Sequence, residues 1–338
     1  MQELHKNVSR RAAWLALTAL VAGGATSVAS ATEWTASAGA QSPDQGRQAL
    51  AFLSNEFWIH AGDSITWTFR TGEIHTVTFL KPGQIRPSLN SPAGIFIGCP
   101  NSTPDGSSFD GSACVTSAPS TTGQTYTVNF PTAGNFKLVC LVHLRMTGAI
   151  HVIVPSATLP HHQDFYDQQA ELAQGELLSG ASGPDGGDGP EDERFSTHEV
   201  IAGVSVIVAN GGGSETAAVM RFLGATTTVH VGDTVEWTNL STPVFHTITF
   251  GTEPASLTPP SPGVTLDPDG VRHAVLSSTS DSVNSGFLGA PGQETPGQPE
   301  GPLDFTRFRV TFTAPGTFNY ICGLHDTLGM TGTVIVRP

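Results

Sequence analysis

The stretch Tyr320-Ile-Cys-Gly-Leu-His-Asp-Thr-Leu-Gly-Met-Thr-Gly332 sets Cys322, His325 and Met330 on one short run between two β-like segments. An earlier stretch, Leu138-Val-Cys-Leu-Val-His-Leu-Arg-Met-Thr-Gly148, carries Cys140, His143 and Met146 in the same order and with the same ending. Thiolate, imidazole and thioether are soft donors that suit copper better than calcium, magnesium or manganese. Each stretch reads as a metal loop at one end of a β-sandwich, so the chain is expected to contain two such units.

Working outward, the similarity extends well beyond the loops. His60-Ala-Gly-Asp-Ser-Ile-Thr-Trp-Thr68 matches His230-Val-Gly-Asp-Thr-Val-Glu-Trp-Thr238, and Ile74-His75-Thr-Val-Thr-Phe79 matches Phe245-His246-Thr-Ile-Thr-Phe250. The segments beginning at Tyr126 and Phe308 also correspond, and each leads into its Cys-His-Met loop. The offset grows from 171 residues between His75 and His246 to 182 between the cysteines, so an insertion separates those points. Within each copy Ile65, Trp67 and Phe69, or Val235 and Trp237, alternate with polar residues. That is the pattern of strands with one buried face, and both tryptophans are expected in the core. His60 and His230 precede Gly-Asp turns and are expected at exposed strand ends.

Composition agrees with this reading. The 338 residues include 38 Gly and 24 Pro, and only 13% are charged, which favours many short strands and turns over long amphipathic helices. The chain is therefore expected to be all-β, with two Greek-key β-sandwich domains in tandem over residues 48–155 and 196–338.

The first 31 residues read as an export signal: Arg10 and Arg11 precede the apolar run Ala12 to Val21, and a small-residue stretch ends at Ala31. Ser9-Arg10-Arg11 also resembles a twin-arginine signal. No other segment is apolar over the roughly 18 residues a membrane span needs, so the mature protein is placed in the periplasm or outside the cell, without a membrane span. Cutting after Ala31 removes three positive charges and one negative, taking the net charge from -14 to -16. Such acidity repels nucleic acid, which is excluded as a partner. Residues 156 to 194 hold nine acids against Arg194 alone, and 156–195 is read as a solvated, Gly-rich linker. Within it, Asp164 to Leu178, with Tyr166, Leu172 and Leu177, reads as a short helix.

Two long stretches, Lys81 to Gly123 and Gly251 to Leu303, interrupt the strand pattern. Cys99 and Cys114 lie in the first and have no counterparts in the second. In an exported chain, two cysteines outside the metal loops are expected to form a disulfide; the alternative is a second metal or redox site.

Each copy thus offers four donors, His75, Cys140, His143 and Met146 in the first and His246, Cys322, His325 and Met330 in the second. Two imidazoles and a thiolate with a weak axial thioether make a blue-copper electron-transfer site. Both copies resemble cupredoxins, the plastocyanin, azurin and halocyanin group. The loop Cys322-x2-His325-x4-Met330 fits that pattern closely, whereas Cys140-x2-His143-x2-Met146 is two residues shorter. Thr76 and Thr247 stand where the group often has Asn. The resemblance implies two type 1 copper ions per chain and single-electron transport between redox proteins of the cell envelope. The imidazole edges of His143 and His325 are expected to be exposed in apolar patches with Leu144 and Leu328.

Two rivals use the same ligands. A copper buffer needs no redox partner. A multicopper oxidase or copper nitrite reductase needs a further centre built on extra histidines, but Val139 and Ile321 precede the cysteines, no His-x-His occurs, and the adjacent pair His161-His162 sits at the start of the acidic stretch. The chain is therefore expected not to be an enzyme.

Overall fold

The computed structural model describes residues 31–84, 86, 99–180, 198–241, 244–289 and 306–338. The expected export signal lies outside these residues apart from Ala31, as do residues 181–195 of the acidic stretch.

The first copy supplies β1 (Glu33–Gln41), β2 (Arg47–Leu53), β3 (Glu56–His60), β4 (Ser64–Phe69), β5 (Thr78–Phe79), β6 (Ser107–Ser108), β7 (Val115–Thr116), β8 (Thr125–Asn129), β9 (Gly134–Val139) and β10 (Thr147–Ile153). After α1 (Gln163–Gly180) come β11 (Glu199–Asn210), β12 (Gly213–Leu223), β13 (Thr226–His230), β14 (Thr234–Leu240), β15 (Thr249–Phe250) and β16 (Thr265–Leu266). The second copy closes with β17 (Arg272–Leu276), β18 (Val283–Asn284), β19 (Arg307–Phe312), β20 (Gly316–Ile321) and β21 (Thr331–Arg337).

These strands form two β-sandwiches in tandem, the all-β class the alternation predicts. Five-stranded sheets ordered β3-β10-β9-β5-β7 and β13-β21-β20-β15-β18 each pack on one half of an eleven-stranded sheet, β16-β17-β19-β14-β11-β12-β2-β1-β4-β8-β6. In β4 the inward residues are Ile65, Trp67 and Phe69, and in β14 Val235 and Trp237. Trp67 lies 5.8 Å from Phe79, and Trp237 lies 5.6 Å from Phe250, so both indoles occupy the expected core.

The large sheet is continuous because β12 pairs antiparallel with β2, Thr216 opposite Leu50 through Val219 opposite Arg47. An apolar cluster of Leu50, Ala218, Met220, Val244 and Leu328 lies beside this pairing. The strands on either side mirror one another: β1 and β11 each run parallel to the tryptophan strand of their own copy. Each also carries a register shift at a glycine, Gly39 or Gly203, with φ of +72° or +76°.

Three features differ from expectation. The first sandwich begins at Glu33, ahead of residue 48. Trp34, Ala36 and Ala38 are buried, and the Trp34 indole N–H donates to Asp63 at 2.9 Å; a strand made largely of Ala, Ser and Thr has little hydrophobic contrast to betray it. Helix α1 falls where a short helix is expected, but it is not part of a solvated linker, since it packs Leu177, Ala170 and Ala173 on β1, β2 and β12. Its Tyr166 ring stacks on Phe57 at 4.2 Å while its hydroxyl accepts from the Trp58 N–H at 2.9 Å. The two long inserts also contribute strands, with β17 pairing parallel to β19 and β7 pairing with β5. Cys99 and Cys114 form the expected disulfide. Among the described residues, no helix is long and apolar enough to cross a membrane.

Leu50 is fully buried in the cluster beside the joint. Replacing it with Ala is expected to destabilise the chain by about 2–5 kcal/mol, seen as a lower urea midpoint. An unchanged midpoint would mean that the joint contributes nothing to stability.

Candidate metal centres

Each copy builds its donor cluster in the same three steps. The first histidine is fixed by a two-way backbone bridge: His75 exchanges hydrogen bonds with Ser120, both at 2.9 Å, and His246 does so with Leu288 at 3.1 and 2.7 Å. The cysteine comes directly after β9 or β20, and the methionine directly before β10 or β21. The loop between them is closed by its backbone. The Cys140 N–H donates to the Met146 carbonyl at 3.0 Å, and the Cys322 N–H donates to the Met330 carbonyl at 3.0 Å. The two extra residues of the second loop are taken up by a single 3-10 turn, Asp326–Leu328, so both methionines return to the same place. Met146 and Met330 are fully buried, each in the core cluster that includes its own cysteine.

The donor atoms converge. Cys140 Sγ lies 3.9 Å from His75 Nδ1 and 3.8 Å from His143 Nδ1, with the two nitrogens 3.1 Å apart. In the second copy the corresponding distances are 3.8, 3.3 and 3.1 Å. All six residues are buried, and each trio of ligand atoms lies within 4.8 Å. Two imidazole nitrogens facing one another around a thiol sulfur, inside an apolar core, form a donor set that fits a soft, borderline ion such as copper.

The surrounding groups hold this geometry. Backbone N–H groups of Thr76 and His143 each point at Cys140 Sγ at 3.4 Å, and that of Thr247 points at Cys322 Sγ at 3.4 Å. The threonine hydroxyls do a separate job. Thr76 Oγ1 accepts from the Leu141 N–H at 2.7 Å and Thr247 Oγ1 from the Gly323 N–H at 2.8 Å, tying each histidine segment to the residue after its cysteine. On the far side of each first histidine, Nε2 has no hydrogen-bond partner among the described residues and rests against a bulge glycine. A Cβ on Gly39 would sit 2.6 Å from His75 Nε2, and one on Gly203 only 2.3 Å from His246 Nε2.

The second histidines are not exposed. His143 and His325 are each 2% accessible, Leu144 is half-buried, and Leu328 is buried beside the joint. The expected exposed edges instead face each other across Glu73: His143 Nε2 is 3.3 Å from one carboxylate oxygen and His325 Nε2 is 3.3 Å from the other. Joining β2 to β12 is what turns both loops inward.

Among the chain's own groups the electrostatics are tightly linked. Burial works against the thiolates, but the adjoining imidazoles outweigh it and hold Cys140 and Cys322 well below the usual thiol range. Burial also works against charge on His143 and His325, yet their cysteines and Glu73 raise both. For His75 and His246 burial prevails and lowers them. Glu73 is held well below the usual carboxylate range, because the two imidazoles overcome the effect of burial.

Sequence reasoning missed Glu73, Gly39 and Gly203. A trace of Glu73 was there: it immediately precedes Ile74-His75, and at the matching point before Phe245-His246 the second copy has Val244. His60 and His230 lie outside both clusters, the first with its ring on the Ala157 carbonyl at 2.8 Å and the second largely exposed beside Asp233.

The sequence profile of copper binding proteins of the plastocyanin/azurin family matches twice, over residues 40–153 and 208–337. No curated protein matches the chain in sequence. Among solved structures, plastocyanin from Dryopteris crassirhizoma is similar at 22% identity over 41% of this chain and 99% of its own, with a TM-score of 0.23. The purple cupredoxin from Nitrosopumilus maritimus is similar at 20% identity over 41% and 98%, TM-score 0.21. A copper-containing nitrite reductase from Thermus scotoductus is similar at 14% identity over 90% and 68%, TM-score 0.24.

Because Gly203 touches the His246 ring at positive φ, Gly203→Ala is expected to displace that imidazole and lower bound copper from two per chain toward one. Gly39→Ala should do the same in the first copy. Metal analysis after copper loading and dialysis checks both, and full retention in each variant would show that the glycines do not set the histidines.

Proposed function

This chain belongs to the plastocyanin/azurin family of copper binding proteins, and from that premise we propose that it is an exported carrier of single electrons. One type 1 copper is assigned to His75, Cys140, His143 and Met146, and the other to His246, Cys322, His325 and Met330. The observation that carries the reading is the duplication itself: two buried clusters with the same donors, the same Nδ1 to Nδ1 separation of 3.1 Å and the same backbone closure.

Copper held there would supply a one-electron couple. The protein's part is to keep the donors still. A carrier exchanges electrons fast when its ligands barely move between oxidation states, and here both loop ends, both first histidines and both threonine clamps are fixed by backbone hydrogen bonds. N–H groups directed at the sulfur, together with the apolar shell, would tune the potential of a bound copper.

Export is supported by the signal-like first 31 residues and by the Cys99–Cys114 disulfide, which suits an oxidising compartment. Partner redox proteins would then be those of the cell envelope. An oxidase or nitrite reductase needs a position where substrate reaches metal, whereas the histidines of both clusters are shut off from solvent. A copper buffer would share the ligands but release the metal readily.

Cys140→Ser and Cys322→Ser should each remove one copper and about half of the blue charge-transfer absorption, and the unaltered chain should take up and return two electrons reversibly. Unchanged absorption in both variants would refute the ligand assignment. Slow reduction with ready loss of copper would refute the carrier role in favour of the buffer.

A further inference from the structure

In each half the second histidine turns Nδ1 toward its cysteine and Nε2 away from it, and both Nε2 atoms end on one carboxylate, 3.3 Å from Glu73 Oε1 and 3.3 Å from Glu73 Oε2. The imidazole side chains are 3% exposed and that of Glu73 is 9% exposed, so solvent has little access to these contacts. An ionised carboxylate only accepts hydrogen bonds, through two oxygens; an imidazole whose Nδ1 faces a metal keeps its proton on Nε2. The pieces match without remainder: two N–H donors and two acceptor oxygens on one rigid group.

Glu73 is itself held in place from the first half. Its N–H donates to Thr71 Oγ1 at 3.0 Å, and that hydroxyl donates to the buried Gln48 side chain. The preceding Gly72 N–H donates to Gln41 Oε1 at 2.8 Å, and Gly72 lies so close to Leu328 that a Cβ there would be 2.8 Å from its methyl. Strands β1 and β2 thus aim the carboxylate, while the metal loop of the other half closes over the segment that carries it.

Resting on the reading that both clusters hold type 1 copper, we propose that Glu73 is the conducting link between them. With copper bound in both clusters, an electron received at one centre would pass to the other through His143, the Glu73 carboxylate and His325, without leaving the protein. Electronic coupling decays less steeply along covalent bonds and hydrogen bonds than across open space, and the imidazole-carboxylate-imidazole path joins the two clusters with only two non-covalent steps. One centre would lose an electron and the other would gain it. No bond breaks and no proton transfers, because each Nε2–H stays on its ring while the carboxylate accepts from both. The chain would then work as a two-electron unit with an internal connection, and a partner docked near either half could draw on both centres.

The test uses the full copper-loaded chain. After a brief pulse delivers less than one electron per molecule, redistribution between the centres is followed where their absorption bands differ, with Cys140→Ser and Cys322→Ser supplying the separate spectra. A phase independent of protein concentration is expected, and it should vanish in either cysteine variant. Glu73→Gln, which keeps the size of the side chain but offers one ring an N–H in place of an acceptor oxygen, should slow it severalfold, with both blue bands retained. The carboxylate touches both rings, so the two potentials should rise together in that variant and leave the driving force between the centres little changed. Glu73→Asp keeps the charge but is one methylene too short to span both rings, and should remain slow.

An unchanged redistribution rate in Glu73→Gln, with both centres blue, overturns the proposal and leaves the copper assignment standing. Absence of blue absorption in the unaltered chain overturns the assignment beneath it. Should Glu73→Gln fail to fold, proton NMR of the fully reduced wild-type chain decides. Two slowly exchanging Nε2–H signals, from His143 and His325, support the bridge; rapid exchange of either with solvent overturns it.

Discussion

A strand at the edge of a sheet presents a row of unpaired N–H and C=O groups that invites association. In this chain β2 of one sandwich and β12 of the other would each be such an edge, and each covers the other. Antiparallel pairing relates the halves by an approximate two-fold axis, with β1, β4 and β8 leading away on one side and β11, β14 and β19 on the other. The metal loops emerge at corresponding places, so the axis turns them toward one another. Burial of His143 and His325 follows from this pairing, as does the position of Leu328 against Leu50 and Met220.

Once buried, a polar ring nitrogen calls for a partner. The two histidines of each cluster meet that demand in opposite ways. His143 and His325 share Glu73, whereas His75 and His246 find no hydrogen-bond partner for Nε2 among the described residues and press against glycines in the bulges of β1 and β11. A buried carboxylate is costly alone, and leaving a buried acceptor without its donor generally costs about 1–3 kcal/mol, more for a charged group. Glu73 therefore fastens the two loops to each other as firmly as it is fastened by them. A residue with such ties cannot be exchanged for its counterpart, Val244, without disturbing both centres.

Much of this was legible in the sequence because it repeats. The all-β class, the inward tryptophans, the Cys99–Cys114 bridge and the nature of the metal-competent loops all rest on local signals: strand alternation, turn residues and close ligand spacing. What escaped was non-local. The pairing of β2 with β12 joins residues more than 160 positions apart, and nothing in Arg47–Leu53 marks it as an internal strand. The exposure of His143 and His325 was misjudged for that reason, since each half considered alone would leave its loop at the surface. Strand β1 is built of small residues that carry no clear periodic contrast. The span of helix α1 is legible, but its packing is not: the acidic surroundings point to a solvated stretch, while the turns that pack down present Tyr166, Ala170, Ala173 and Leu177.

The mismatch of Glu73 with Val244 has a bearing on how such a molecule can be assembled. Two separate, identical subunits meeting about a two-fold axis must place every residue there twice. They would confront each other with a pair of acids, which repel in a dry setting, or with a pair of valines, which leave both rings without an acceptor. A solitary acid on the axis is open only to halves that share a polypeptide and are free to diverge. Covalent fusion thus makes available an odd-numbered contact that symmetry denies to a homodimer.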